Sequence, residues 1–123
     1  TAQASPLLST TSVVDWQQCL RLAGGNTQLA KTMLQGLISE ARTLQTDINM
    51  QPCRKLLEQV HKTHGLCKYV GAESLRNGLE NAETCLKTNR DLWPLRKKEL
   101  HNAIEDLLNW DKESQWLKQI KNN

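Results

Sequence analysis

The chain has 123 residues, of which 38% are hydrophobic and 24% charged, and a formal net charge of +3. That length suits one domain with one core and leaves no room for a deep substrate cavity besides, which argues against a small-molecule enzyme. The slight positive excess suits an acidic protein surface and falls well short of a nucleic-acid-binding footprint.

Leu, Gln, Lys and Glu dominate, Phe is absent, and there are only three Pro and six Gly. These are helix-forming preferences, so the expected class is all-α. No stretch approaches the roughly 18 apolar residues of a membrane-spanning helix, and no secretory signal pattern stands at the start. The chain opens on Thr1 rather than Met, which reads as a piece of a longer protein. Four cysteines, Cys19, Cys53, Cys67 and Cys85, each fall inside a helical apolar pattern rather than a loop-rich framework. Buried free thiols in a reducing compartment are expected.

Residues 1–12 are small and polar with one Pro and read as a linker or frayed arm, leaving 13–123 as the domain. A short helix is predicted from Val14 to Leu22, with Trp16, Cys19 and Leu20 facing inward. Gly24-Gly25 breaks it, and Asn26 is placed to cap the next helix. There, Leu29, Met33, Leu37, Ala41, Leu44 and Ile48 recur at helical steps, the mark of one buried stripe. Pro52 ends or kinks that helix. A third helix is predicted from Cys53 to Val70 with Gly71 as its stop, and a fourth from Ala72 to Lys87 with Leu75, Leu79, Ala82 and Leu86 buried. Asp91 is placed to cap a last helix that tolerates Pro94 in its first turn. Leu100, Ile104, Leu107, Trp110 and Leu117 carry it towards the C-terminus. Four amphipathic helices with short connections favour an antiparallel up-down-up-down four-helix bundle, with the short extra N-terminal helix over one end.

The third helix carries the unusual residues. At about 100° per residue, Cys53, Leu56, Val60, Thr63, Cys67 and Val70 share a core face, and His61 lies about 140° from its centre. His61 therefore points to solvent, flanked on the outward face by Arg54, Leu57, Glu58, His64, Gly65 and Lys68. Gly65, one turn after His61, costs about 1 kcal/mol relative to Ala in a helix interior. Bare backbone there leaves room for a docking protein to approach. His64 and Lys68 offer charge or hydrogen-bond donors to a phosphoryl group. A neutral imidazole is a nucleophile near neutral pH, and phosphoryl transfer needs mostly alignment and charge neutralisation. No phosphate-binding Gly-rich loop or kinase ATP-site motif is present, so the domain itself is not expected to take phosphate from ATP.

The run Val60-His61-Lys62-Thr63-His64-Gly65, continuing through Tyr69-Val70-Gly71-Ala72-Glu73-Ser74-Leu75, resembles the signature of histidine-containing phosphotransfer (HPt) domains. In that signature a histidine precedes a glycine by four residues, and a second glycine follows six further on. Val14-Asp15-Trp16, Leu20, Gly24-Gly25-Asn26, Leu29-Ala30 and Leu34 resemble the family's opening, and Ala82-Glu83 its apolar-Glu pair. The resemblance implies phosphorylation of His61, clearance at Gly65 and a helper role for Lys68. Its partners would be the receiver domains of a hybrid kinase and of a response regulator, with magnesium on the receiver and no cofactor on this domain. His64 stands where the family has Lys, which makes any phosphate contact there pH-dependent; Thr63 and Leu66-Cys67 replace a Leu and small residues, which affects packing. A His at this place is similar to the C-terminal modules of BarA/GacS-type hybrid sensor kinases. That implies a cytoplasmic position, on the inner-membrane sensor kinase that would be the parent chain. Arg54 and Leu57 are docking candidates by position alone, and a monomer without membrane contact is expected.

Two other readings compete. His61, His64 and Cys67 repeat every third residue, as a zinc site might, but on one helix they diverge and Cys67 faces the core. Arg96-Lys97-Lys98 and Lys118 to Lys121 are basic, as in a helical protein- or nucleic-acid-binding module, although each cluster is short and Trp93, Trp110 and Trp116 read as packing residues.

Overall fold

The computed structural model describes residues 13–121; the arm expected over residues 1–12 lies outside them. Among the described residues the chain is all-helical. It forms α1 (Trp16–Leu22), α2 (Thr27–Asp47), α3 (Arg54–Leu66), α4 (Glu73–Thr88), α5 (Trp93–Ser114) and α6 (Trp116–Lys121), with 3₁₀ turns at Cys67–Tyr69 and Arg90–Leu92. The helices α2, α3, α4 and α5 each pack on the next, and α5 returns to α2, so four helices ring one core. No helix is long and apolar enough to cross a membrane.

Local chemistry sets most boundaries. Asp15 accepts from the Gln18 N–H at 3.1 Å to start α1, and Asn26 accepts from the Leu29 N–H at 2.9 Å to start α2 as expected. The stripe of α2 is rotated from the expected one. Ala30, Leu34, Leu37, Ile38, Ala41, Leu44 and Ile48 are buried, Met33 is half-buried and Leu29 is exposed. The α4 stripe is buried as read, as are Leu100, Ile104, Leu107 and Trp110 of α5, whereas Leu117 is half-buried and lies on α6; Leu56, Val60, Thr63, Cys67 and Val70 form the inner face around α3. Cys19, Cys67 and Cys85 are buried, Cys53 is half-buried, and all four are free thiols. Burial pushes the Cys67 thiol up to about 12.

Three junctions differ from expectation. The third helix ends at Leu66 and tightens into the 3₁₀ turn, four residues before the predicted end at Val70. Gly71 is accordingly no helix stop. Its carbonyl accepts from the Asp15 N–H at 2.7 Å, its N–H donates to Cys19 Sγ at 3.3 Å, and an added Cβ would lie 2.7 Å from both Asp15 O and Gln18 Cβ. It is the point where α1 presses on the bundle. Asp91 does not cap α5: Asn89 accepts from the Asp91 N–H at 3.2 Å in a short side-chain-closed turn, and Leu92 leads into α5 without a side-chain cap.

The last helix is interrupted rather than continuous, because Gln115 takes a left-handed conformation (φ 52°). The turn folds Trp116 into the core, with its ring 6.0 Å from both Trp16 and Trp110. Its Nε1–H donates to Asp111 Oδ1 at 2.7 Å, and Asp111 Oδ2 pairs with Arg42 at 3.0 Å. Trp93, Trp110 and Trp116 are all buried, so none forms a stacking platform for bases.

Gly71→Ala is expected to lower stability by about 1–3 kcal/mol, since α1 must shift to admit the methyl group. Urea unfolding followed by circular dichroism measures it.

Candidate functional site: two imidazoles on one buried carboxylate

On α3, His61, His64, Gly65 and Lys68 (in the following turn) fall at helical spacings along one stripe. On α4, Arg76, Glu80, Glu83, Thr84 and Lys87 do the same, and the two stripes line an open cleft between the helices. The α3 side is held from behind by α2, where Glu40 accepts from Gln59 Nε2 at 2.8 Å and pairs with Lys62 at 3.4 Å. Thr63, polar on the core face, is satisfied by donating to Gln59 O at 2.9 Å. The helix that carries the histidines is therefore fixed on its inner and lateral sides.

His61 stands out from this frame, its side chain 71% exposed. Its Nδ1 lies 2.6 Å from Glu83 Oε2, and His64 Nδ1 lies 2.9 Å from Glu83 Oε1. The side chain of His64 is only 28% exposed. Lys87 Nζ completes the group, 3.1 Å from Glu83 Oε2. Glu83 itself is 8% exposed. Burial acts against its charged form, but the hydrogen bonds from His61, His64 and Lys87 together outweigh it and hold the carboxyl down at about 2. An ionised carboxylate only accepts, so each ring carries its proton on Nδ1. In a neutral ring the lone pair is then on Nε2, which for His61 is directed away from Glu83.

Gly65 is bare: a Cβ built there meets nothing within 4 Å. Lys68 is exposed at the end of the cleft. Arg54 is fully on the surface, paired with Glu58 at 3.3 Å, whereas Leu57 packs partly against the core and offers only an edge. Cys67 is in the core and takes no part in the cluster; among the described residues no group of three or more His, Cys, Asp or Glu has metal-binding geometry. Helical periodicity alone does not join Glu83 or Lys87 to the histidine. Besides the resemblance that singles out Ala82-Glu83, the signal is their i, i+4 spacing beside the apolar stripe of the fourth helix, which an ordinary surface ion pair shows equally well.

An exposed imidazole beside open backbone on a helical bundle is the arrangement the resemblance implied, and the contact with Glu83 adds a fixed tautomer. The Hpt domain family model matches residues 28–110. The chain belongs to the Hpt domain family. Hpt domains are the phosphotransfer modules of two-component phosphorelays. The chain is 36% identical over 81 residues to the sensor protein GacS of Pseudomonas syringae pv. syringae, covering 63% of this chain and 9% of that protein. It is 30% identical over 110 residues to the signal transduction histidine-protein kinase BarA of Escherichia coli K12, covering 84% of this chain and 12% of that protein. The sensor histidine kinase GacS of Pseudomonas protegens is 37% identical over 81 residues, 61% of this chain and 9% of that protein. The chain thus spans about a tenth of the length of these relatives.

Glu83→Gln is expected to destabilise this Hpt domain by at most about 3 kcal/mol at neutral pH. A carboxyl depressed from 4.5 to about 2 contributes stability that is complete above pH 4.5 and is lost as pH falls towards 2. Denaturant unfolding at a series of pH values should show the gap between wild type and variant closing across that window.

Proposed function

We propose that His61 accepts a phosphoryl group from the aspartyl phosphate of one receiver domain and delivers it to the aspartate of another. The carrying observation is the 2.6 Å contact between His61 Nδ1 and Glu83 Oε2 on a side chain that is 71% exposed. Nε2 attacks phosphorus in line, the N–P bond forms, and the aspartyl O–P bond breaks with its electrons returning to the partner's carboxylate. The proton stays on Nδ1, so the ring becomes cationic as it bonds to phosphorus, and Glu83 neutralises that charge at the nitrogen where it appears. Reversal of the same steps returns the group to a second receiver. Magnesium belongs, in this reading, to the acidic pocket of the receiver.

His64 takes a positioning role here. By occupying Glu83 Oε1 it holds the carboxylate in the rotamer that serves His61. Gly65 gives the partner clearance, and Arg54 and the edge of Leu57 extend the docking face beyond His61. Lys68 and Arg76 continue it on the other side, into a groove lined by Leu22, Val70 and Asn77. The proposed partners are the receiver of a hybrid sensor kinase and that of its response regulator. The domain would act as a monomer on the cytoplasmic side of an inner-membrane kinase; the names of the GacS and BarA relatives, a sensor protein and a histidine-protein kinase, support a place in a sensor kinase.

Mixing the domain with a phosphorylated receiver and magnesium should put acid-labile, base-stable phosphate on this chain. His61→Gln should abolish the label with helical content unchanged; equal labelling of that variant would remove His61 as acceptor. Gly65→Arg should slow transfer by about 10²-fold, because a displaced partner loses in-line alignment. Stopped-flow transfer kinetics would measure this, and wild-type rates would remove the clearance role.

A further inference from the structure

The basic run Arg96-Lys97-Lys98 has no part in the histidine cleft. The packing order of the helices fixes where it sits. α2 packs on α3, α3 on α4, α4 on α5, and α5 returns to α2, so the seam between α2 and α5 lies across the bundle from the cleft that holds His61. In that seam Pro94, Lys97, Lys98 and His101 of α5 line an open recess of about 300 Å³, together with Asn49 just beyond the end of α2. The four α5 residues fall at three- and four-residue steps, which puts them on one stripe of the helix.

Three carboxylates of α5 that could have neutralised this stripe are engaged elsewhere. Glu99 accepts from Arg96 at 2.8 Å, Glu105 accepts from Gln45 across the seam, and Asp111 is shared between Arg42 and Trp116. Among the described residues the side chains of Lys97, Lys98 and His101 have no hydrogen-bond or ion-pair partner. Arg42, Arg54, Lys62, Arg76, Lys87 and Arg96, by contrast, each face a carboxylate. Two neighbouring ammonium groups without a counter-charge create a local positive potential that attracts anionic groups. Leu95, beside the stripe, is 50% exposed, more than any other large hydrophobic side chain described. A lone surface leucine needs no explanation, but one bordering free cations offers a partner an apolar anchor with a charged rim.

We propose that this seam is a second docking face, and that it takes an acidic segment of a protein. Its carboxylates would meet Lys97 and Lys98, an apolar side chain would cover Leu95, and Asn49 and His101 would hydrogen-bond its backbone. Charge pattern favours this occupant over a phosphate polymer or a membrane. Asp91 precedes the stripe, Glu99 flanks it and Asp106 follows it, all three exposed. The positive area is therefore short. A nucleic-acid strand, charged at every unit, or a continuous anionic lipid surface would meet those carboxylates as well. A protein segment placed here leaves His61 reachable, so the domain can be held on one side while it transfers on the other. That last consequence rests on the acceptor role proposed for His61; the docking face does not.

Titrating the nitrogen-15-labelled domain with a short synthetic peptide of glutamates around a central leucine tests this by NMR. Saturable shifts should centre on the amides of Leu95, Lys97, Lys98 and His101. The double variant Lys97→Gln, Lys98→Gln should bind about fivefold more weakly, the scale of two exposed ion pairs. Leu95→Ser should bind about threefold more weakly through lost apolar contact. Both variants should keep wild-type helical content, and saturating peptide should leave the rate of His61 labelling by a phosphorylated receiver unchanged. Wild-type affinity in the double variant, or shifts centred on the cleft between α3 and α4, would overturn the proposal. So would tighter binding of single-stranded DNA or of phosphatidylglycerol vesicles at the same residues, which would give the face to a nucleic acid or a membrane. The binding measurement is read without phosphotransfer, so a chain that takes no label at all counts against His61 alone.

Discussion

The carboxylate of Glu83 lies in the seam between α3 and α4, with an imidazole of α3 on each oxygen and a lysine of its own helix alongside. Taking a carboxylate out of water costs several kcal/mol unless its lone pairs are met. Here three donors meet them, and the result is an ionised group at about 2 that cannot relax without breaking contacts to both histidines. That constraint orients the His61 ring, decides which nitrogen holds the proton and leaves the other to solvent. It also joins α3 to α4 at the level where a partner would press.

The phosphoryl acceptor proposed above must be both reachable and still, and the two demands oppose each other. His61 is reachable because its stripe faces away from the core and because Gly65 adds no side chain beside it. It is still because α3 is pinned on either flank, by Glu40 from α2 and by Glu83 from α4. Gly65 weakens the helix by about 1 kcal/mol relative to Ala, with no packing gain to offset it, since an added Cβ there would meet nothing within 4 Å.

The short helices secure the ends. At Gly71 the chain passes so close to α1 that a methyl group would not fit, and the two backbones exchange a hydrogen bond there. At the other terminus, the left-handed turn at Gln115 folds α6 back so that Trp116 packs between Trp16 and Trp110. The burial of three indoles ties α1, α5 and α6 together.

The sequence by itself determined the all-helical class, the main helices and the outward face of His61, because helical periodicity is a local property that repeats every turn. It determined the bare backbone at Gly65 for the same reason. It misjudged the end of α3, the cap of α5 and the path beyond Ser114, where the outcome depends on what packs from elsewhere: α1 against Gly71, and Trp16 against Trp116. The partnership of His61 with Glu83 and Lys87 was decided only by the tertiary structure. A residue 22 positions away shares an oxygen with a ring only after two helices are packed at a given rotation and height, and no spacing within either helix encodes that relation.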